Sequence, residues 1–502
     1  MDKLKELIDV LSNSRTTPKL VAINEIGNGK IIPFFEGLQQ DKFRDDDDAA
    51  AALYGKTKSY SKYKKLKTHT KRRLVDSLFF LDLGKISSTP RQTAFFECYK
   101  DWAAVKILMS SQARKIGLDM CMQVLSKAKK FEFTELAMNV TNYLRVYYGT
   151  VARDLKKYEQ YDALFKQYRE LWDAENVVEE LYTDLTVRFV NNKKRSKETP
   201  KKSAEYYRRI KPLLKKYDSY RLQLSGHLIR MMTHTSTHDY RRTAKLCDEG
   251  IAFFSKKSYH AKTPIQIFYY QKVECHLRLQ QYEEGQKAIQ ACLDMLDEGT
   301  YNWFKVQETN LLLATHTGRY QHALEVFKRT TTHKQFKKQP EQEKEMWRIY
   351  EAYLYFLGVT NRIKLEPGDP LHKFKLGKFL NETPIYTQDK RGMNIPILIV
   401  QILFLIERRQ FQQLIEKMDA IKRYSSRYLQ KDDTFRSNCM IKMLLEMPDV
   451  KYNLKRVERR VQKIYKKLQT VPIEQASHAN EVEIIPYEDL WEMALNLLEK
   501  KK

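Results

Sequence analysis

Leu279-Gln280-Gln281-Tyr282-Glu283-Glu284-Gly285 and Thr317-Gly318-Arg319-Tyr320-Gln321-His322-Ala323 are two versions of one phrase. Each puts an aromatic residue at the start of a helix and a small residue three positions later. An apolar residue follows four positions on (Ile289, Phe327), and a small one three beyond that (Cys292, Thr330). Residues spaced by three and four share a helix face, so each phrase opens an amphipathic helix that can approach a neighbour closely. Weaker copies stand at Tyr240 with Thr243, Cys247 and Gly250, at Phe133 with Leu136, and at Phe411 with Leu414, Met418 and Ile421.

This pattern resembles the second helix of degenerate tetratricopeptide repeats, most clearly over residues 230–335. The intervals from Tyr240 to Tyr282 to Tyr320 are longer than the 34 residues of that family, and its Trp-Leu-Gly-Tyr signature in the first helix is missing. The resemblance implies an all-α fold, an α-solenoid of stacked antiparallel helix pairs. It also implies a concave face, lined by first helices, that takes a protein or peptide partner. Tyr269, Lys272, Glu274, Arg278, Gln307, Asn310 and His316 are the residues expected on that face.

Outward from the repeats, helical periodicity runs from Arg91 almost to the C-terminus with short connections. Helices are predicted over 91–109, 114–128, 134–148, 152–172, 174–192, 202–217, 219–233, 239–255, 263–279, 283–297, 302–316, 321–332 and 343–358. Further ones are predicted near 395–407, 411–428, 433–446, 450–468 and 487–500. Gly (16) and Pro (14) are scarce for 502 residues, which argues against β-rich and α/β architectures with their frequent turns. The predicted organisation is a basic N-terminal helical segment (1–90), a repeat array (91–361), an irregular insertion (362–393) and C-terminal helical repeats (394–502).

The six cysteines are scattered without a Cys-x-x-Cys pair, as in a reducing compartment. The N-terminus has charges throughout and no signal-peptide core. The apolar run Ile395–Ile406 is shorter than a membrane span, with Pro396 suited to the first turn of a buried helix. The residues therefore predict a cytoplasmic chain with no membrane span.

Motifs of known chemistry are missing. Gly55-Lys56-Thr57 matches the end of a phosphate loop, but Ala50 stands where the first glycine belongs and Ala49–Leu53 is helix-forming. Asp45–Asp48 reads as a capped helix start rather than a metal cage. His234 and His238 are four apart, but the surrounding Thr/Ser/Asp residues read as a turn with an N-cap. No cofactor and no catalytic motif is identified, so the expectation is a non-enzymatic scaffold.

The net charge of +27 points to polyanions as the alternative partner, RNA or DNA. The tract 56–73 holds Lys56, Lys58, Lys62, Lys64, Lys65, Lys67, Lys71, Arg72 and Arg73 without an acid, interleaved with Tyr60, Tyr63 and His69. A second tract, 193–216, begins with Lys193, Lys194 and Arg195. A third, on the helix near 450–468, has cations opposite the stripe Leu454, Val457, Val461, Ile464, Leu468 and reads as a solvated face. A regulatory, peptide-sensing repeat protein is a further alternative, weakened by the lack of a DNA-reading helix-turn-helix.

Overall fold

The structure is a computed structural model of the 502-residue chain. It describes residues 1–13, 29–86, 89–191, 198–382, 394–415, 435–475 and 483–499. Among these there is helix and turn but no strand, and successive helices pack as neighbouring pairs in a solenoid-like, all-α arrangement.

Contacts divide the chain into two units. The first comprises Met1–Glu180, Pro212–Gln223 and Ser255–Ala261; the second comprises Leu181–Lys211, Leu224–Phe254 and Lys262–Lys502. The first unit opens with α1 (Asp2–Asn13), α2 (Ile31–Gln39), α3 (Asp46–Tyr54) and α4 (Ser61–Ser77). Their apolar faces meet in a small core of Leu4, Ile8, Phe34, Leu38, Ala49, Ala50, Tyr63, Leu66 and Leu74. Asp45 caps α3 by accepting the backbone N–H groups of Asp47 and Asp48, both at 2.9 Å. Gly55 ends α3 with φ 61°, a left-handed position that a glycine adopts without strain. The phosphate-loop fragment is thus a helix C-cap.

After a short helix α5 (Leu83–Ile86), Thr89 caps α6 (Pro90–Ser110), accepting the Gln92 N–H at 3.1 Å with Pro90 in the first turn. α7 (Arg114–Lys130) and α8 (Thr134–Val146) pack on α6 around Cys98, Val105, Cys121, Val124, Leu136 and Val140. The sequence predicts two helices over 152–172 and 174–192; the structure has one, α9 (Leu155–Asn191). Those 37 residues contain neither Gly nor Pro, and Asp173 alone does not outweigh propagation through Trp172 and Ala174.

α10 (Thr199–Lys216), α11 (Tyr220–Thr235) and α12 (Tyr240–Ser255) follow. In the second unit α13 (Lys262–Arg278), α14 (Tyr282–Leu293), α15 (Tyr301–His316), α16 (Tyr320–Thr331) and α17 (Glu341–Val359) stack in order. α13 also touches α15, so alternate helices meet as they do in a solenoid. α18 (Leu376–Glu382) lies in the expected irregular stretch, whose remainder from 383 falls outside the described residues. α19 (Asn394–Glu407) is buried on every face from Asn394 to Ile406 and packs against α17, α20 (Phe435–Glu446) and α22 (Tyr487–Glu499), with α21 (Leu454–Gln469) alongside. One core runs from Leu311 through α19 to Ala494.

A single turn recurs between helices. Gln112, Glu132, His238, Gln280, Gly318, Asn361 and Arg409 all have φ between 51° and 70°. In each turn the next backbone N–H donates to the carbonyl five residues back: Ala113 to Leu108, Phe133 to Ala128, Asp239 to His234, Gln281 to His276, Arg319 to Ala314, Arg362 to Leu357 and Gln410 to Leu405, all at 2.8–3.0 Å. That bond satisfies a carbonyl which the helix end leaves open. The paired aromatics Tyr240, Tyr282 and Tyr320 are each the first residue of their helix. A Cβ at Gly285 would lie 2.4 Å from Leu313 Cδ2 of α15, so the small residue sets the closeness of α14 to α15.

All six cysteines are buried and unpaired. Among the described residues no helix is long and apolar enough to cross a membrane.

Candidate nucleic-acid interface

α4 carries the first basic tract. Its inward face is Tyr63, Leu66, Thr70, Leu74 and Ser77, which turns the intervening Lys and Arg residues outward. Lys62, Lys64, Lys65, Lys71 and Arg72 are exposed and make no ion pair among the described residues. Lys67 and Arg73 differ. Lys67 is half-buried and donates to both Asp46 oxygens at 2.8 and 2.7 Å. Arg73 is also half-buried and engaged within the protein. The seven cations on α4 therefore resolve into five solvated and two structural ones.

Asp46 belongs to the scaffold of this helix. Burial alone would push its carboxyl up, but hydrogen bonds from Lys67 and Tyr63 hold it below the usual carboxylate range. Tyr63, whose hydroxyl donates to Asp46 at 2.7 Å, is pushed up by burial and by that carboxylate. At the N-terminal end of α4 an open cleft of about 640 Å³ is lined by Ala51, Gly55, Lys56, Thr57, Ser59, Tyr60 and Ser61. Lys58, on the loop that leads into α4, pairs with Asp47 at 3.1 Å.

At the other end of α4 the chain continues into a 3₁₀ turn, Leu78–Phe80. The sequence presents Leu74–Leu83 as one apolar segment. Only part of it is inside: Leu74 and Leu81 are buried, whereas Phe79 is 51% and Phe80 75% exposed. Sequence reasoning missed these two. The available signal was the seven-residue step Lys65–Arg72–Phe79, which on an unbroken α-helix would put Phe79 on the side of the exposed cations rather than in the core.

The other tracts fare differently. Lys193, Lys194 and Arg195 lie outside the described residues. Of the remaining second tract, Lys201, Arg208, Arg209, Lys211, Lys215 and Lys216 are exposed, and Lys216 pairs with Glu170 at 3.2 Å. α21 has Val457, Val461 and Leu468 buried with its cations on the opposite side, and Arg460 is tied to Glu446 and Asp449.

The residues expected on a peptide-binding face are drawn into the second unit's own packing. Gln307 is fully buried and accepts from Arg329 at 2.7 Å; Asn310, 3% exposed, accepts from Gln286 at 2.7 Å. His316 bonds the Glu483 carbonyl through Nε2. Burial pushes its pKa down to about 4; the Glu483 bond pulls upward, and the Arg278 and Arg436 charges add to the lowering. Lys272 pairs with Asp248 at 2.7 Å. Glu274 accepts from Thr309 at 3.3 Å, and burial raises its pKa. Tyr269 and Arg278 are half-buried.

Glu483 is itself held by Arg436, which is 2% exposed. The guanidinium donates to Glu483 (3.0 and 2.8 Å), to Glu488 (3.0 and 2.6 Å) and to the Val471 carbonyl (2.7 Å). Nothing in the local sequence marks this cluster, whose members come from residues 35–52 positions apart.

His234 and His238 do not converge. His238 occupies the left-handed turn position and meets the Tyr240 hydroxyl at 3.1 Å, while Asp239 caps α12 by accepting the Arg242 N–H at 3.0 Å. No group of metal-ligating side chains is assembled among the described residues.

No family model, no curated protein and no solved structure matches this chain.

Proposed function

We propose that this protein is a helical-repeat binding scaffold whose N-terminal unit engages nucleic acid through α4. The observation that carries the reading is the set of five exposed cations spread over the solvent half of α4, without ion-pair partners among the described residues. Among the other cations of the same unit, Lys5 pairs with Asp41, Lys127 with Glu97, Arg145 with Asp162 and Lys257 with Glu132. Unpaired like charges held along one rigid helix repel one another, and phosphates relieve that repulsion while releasing their counterions.

The peptide-binding reading of the repeats takes second place. Gln307, Asn310 and His316 are committed to bonds inside the second unit, which leaves Tyr269, Lys272, Glu274 and Arg278 with partial exposure.

The test is oligonucleotide binding by fluorescence anisotropy across a salt series. The full chain should lose about 100-fold in affinity between about 50 and 200 mM salt. A chain with Lys62, Lys64, Lys65, Lys71 and Arg72 all changed to Glu should bind weakly with a nearly flat salt response, while keeping its helical circular dichroism. Unchanged binding by that variant sinks the reading.

A further inference from the structure

We infer that the nucleic acid taken by α4 is single-stranded, its backbone following the exposed cations and its bases stacking on Phe79 and Phe80. This rests on the reading of α4 as a nucleic-acid interface and specifies the substrate class of that site.

Exposure and placement carry it. Phe79 and Phe80 are adjacent, highly exposed, and follow α4 without a break. Leaving two phenyl rings in water forgoes on the order of 2 kcal/mol each relative to burying them, so the turn is a costly place for them unless they have a partner. Their placement is not random with respect to charge: Lys65 and Arg72 step by seven residues along α4, roughly 10 Å apart at 1.5 Å per residue, and the 3₁₀ turn bearing Phe79 and Phe80 continues directly from that helix. A positively charged track that ends on aromatic side chains is the arrangement by which proteins hold single strands without reading sequence.

The exposed rings also distinguish a strand from a duplex. A duplex keeps its base faces stacked, which leaves the two phenyl rings nothing to meet short of prising base steps apart.

Charge at the aromatic end separates a strand from an anionic bilayer. Asp76 precedes the phenylalanines by three residues and is exposed. Its carboxylate repels phosphate or lipid headgroups from the ring end. A single strand answers that pattern, with phosphates beside the lysines and neutral base faces beside the rings. A lipid surface would have to bring its headgroups to both ends at once.

The experiment compares labelled oligo(dT), oligo(U) and a mixed-sequence duplex by anisotropy at one salt concentration, using wild type, the α4 charge-reversal variant, Phe79→Ala/Phe80→Ala and Phe80→Trp. The alanine pair is expected to weaken single-strand binding about tenfold or more while leaving the salt slope and the duplex affinity unchanged. Phe80→Trp should bind single strands like wild type and gain a fluorescence signal that oligo(dT) quenches. Three results overturn the inference: single-strand affinity unmoved by the alanine pair, tighter binding to the duplex than to either oligonucleotide, or a Phe80→Trp signal that responds to phosphatidylserine vesicles and not to oligonucleotides. Loss of binding on charge reversal, with no effect of the alanine pair, removes this inference and leaves the α4 interface standing. Wild type that binds none of the three probes removes both.

Discussion

Arg436 and His316 carry the most consequential side-chain chemistry in the second unit. Arg436 is buried, and its charge is tolerated because two carboxylates and a carbonyl surround it. Removing one member of such a cluster leaves an uncompensated charge, so Arg436→Met should cost about 3–5 kcal/mol in urea unfolding. A loss below about 1 kcal/mol would show that Glu483 and Glu488 find other partners. His316 gives a pH signature. Its folded pKa of about 4 lies below the 6.5 of a free histidine, so the fold holds it neutral while the unfolded chain takes up a proton. The stability it contributes is therefore complete above pH 6.5 and lost as pH falls from 6.5 to about 4, at about 1.4 kcal/mol per pH unit. Burial raises Glu274 and Glu483, which pulls stability the other way on acidification. The difference between wild type and His316→Gln isolates the histidine: the variant should lose less stability than wild type between pH 6.5 and 4.5. Parallel curves would refute the assignment. Neither residue was legible as structural from sequence. Both depend on Glu483, which lies 47 positions beyond Arg436 and 167 beyond His316.

Helices and turns were far more legible. Aromatic-then-small spacing located the starts of α12, α14 and α16 because burial imposes a 3.6-residue period on any helix that packs along one face. The left-handed residue before each start was not legible. His, Gln, Glu, Asn and Arg occupy it as well as Gly, and each accepts a strain of about 1–2 kcal/mol that the surrounding turn must offset. Gly285 is the tightest point of this system. Gly285→Val should destabilise by about 1–3 kcal/mol, because the added atoms must displace Leu313 from its rotamer or part the two helices. Thermal unfolding followed at 222 nm checks this, and a variant as stable as wild type would mean that α14 and α15 shift apart freely. α9 shows the opposite failure of sequence reading. The sequence reading divides it at Asp173, although the stretch holds neither Gly nor Pro. On α4 the cations were legible but the exposure of Phe79 and Phe80 was not, since a run of apolar residues reads as core until its geometry is seen.

For the molecule as a whole, a net charge of +27 creates a field that attracts any polyanion weakly. Total charge and a localised interface make different predictions. Reversing Lys455, Arg456, Arg459, Lys463 and Lys466 on α21 changes the net charge as much as reversing the five exposed cations of α4. If the field alone governs binding, both variants should lose oligonucleotide affinity equally. With α4 as the interface, the α21 variant should stay within about threefold of wild type at 150 mM salt, where charges that do not touch the nucleic acid are screened over about 8 Å. Equal losses would overturn the assignment to α4.

α19 imposes an order on how the chain can be made. Ribosomes release Ile395–Ile406 before Met440, Leu444, Leu490 and Trp491, which share its core, have been synthesised. At about 5–20 residues per second this greasy rod waits on the order of ten seconds for its C-terminal cover. Holdase chaperones have that interval in which to bind it, and a nascent chain arrested before Tyr487 should remain in their custody.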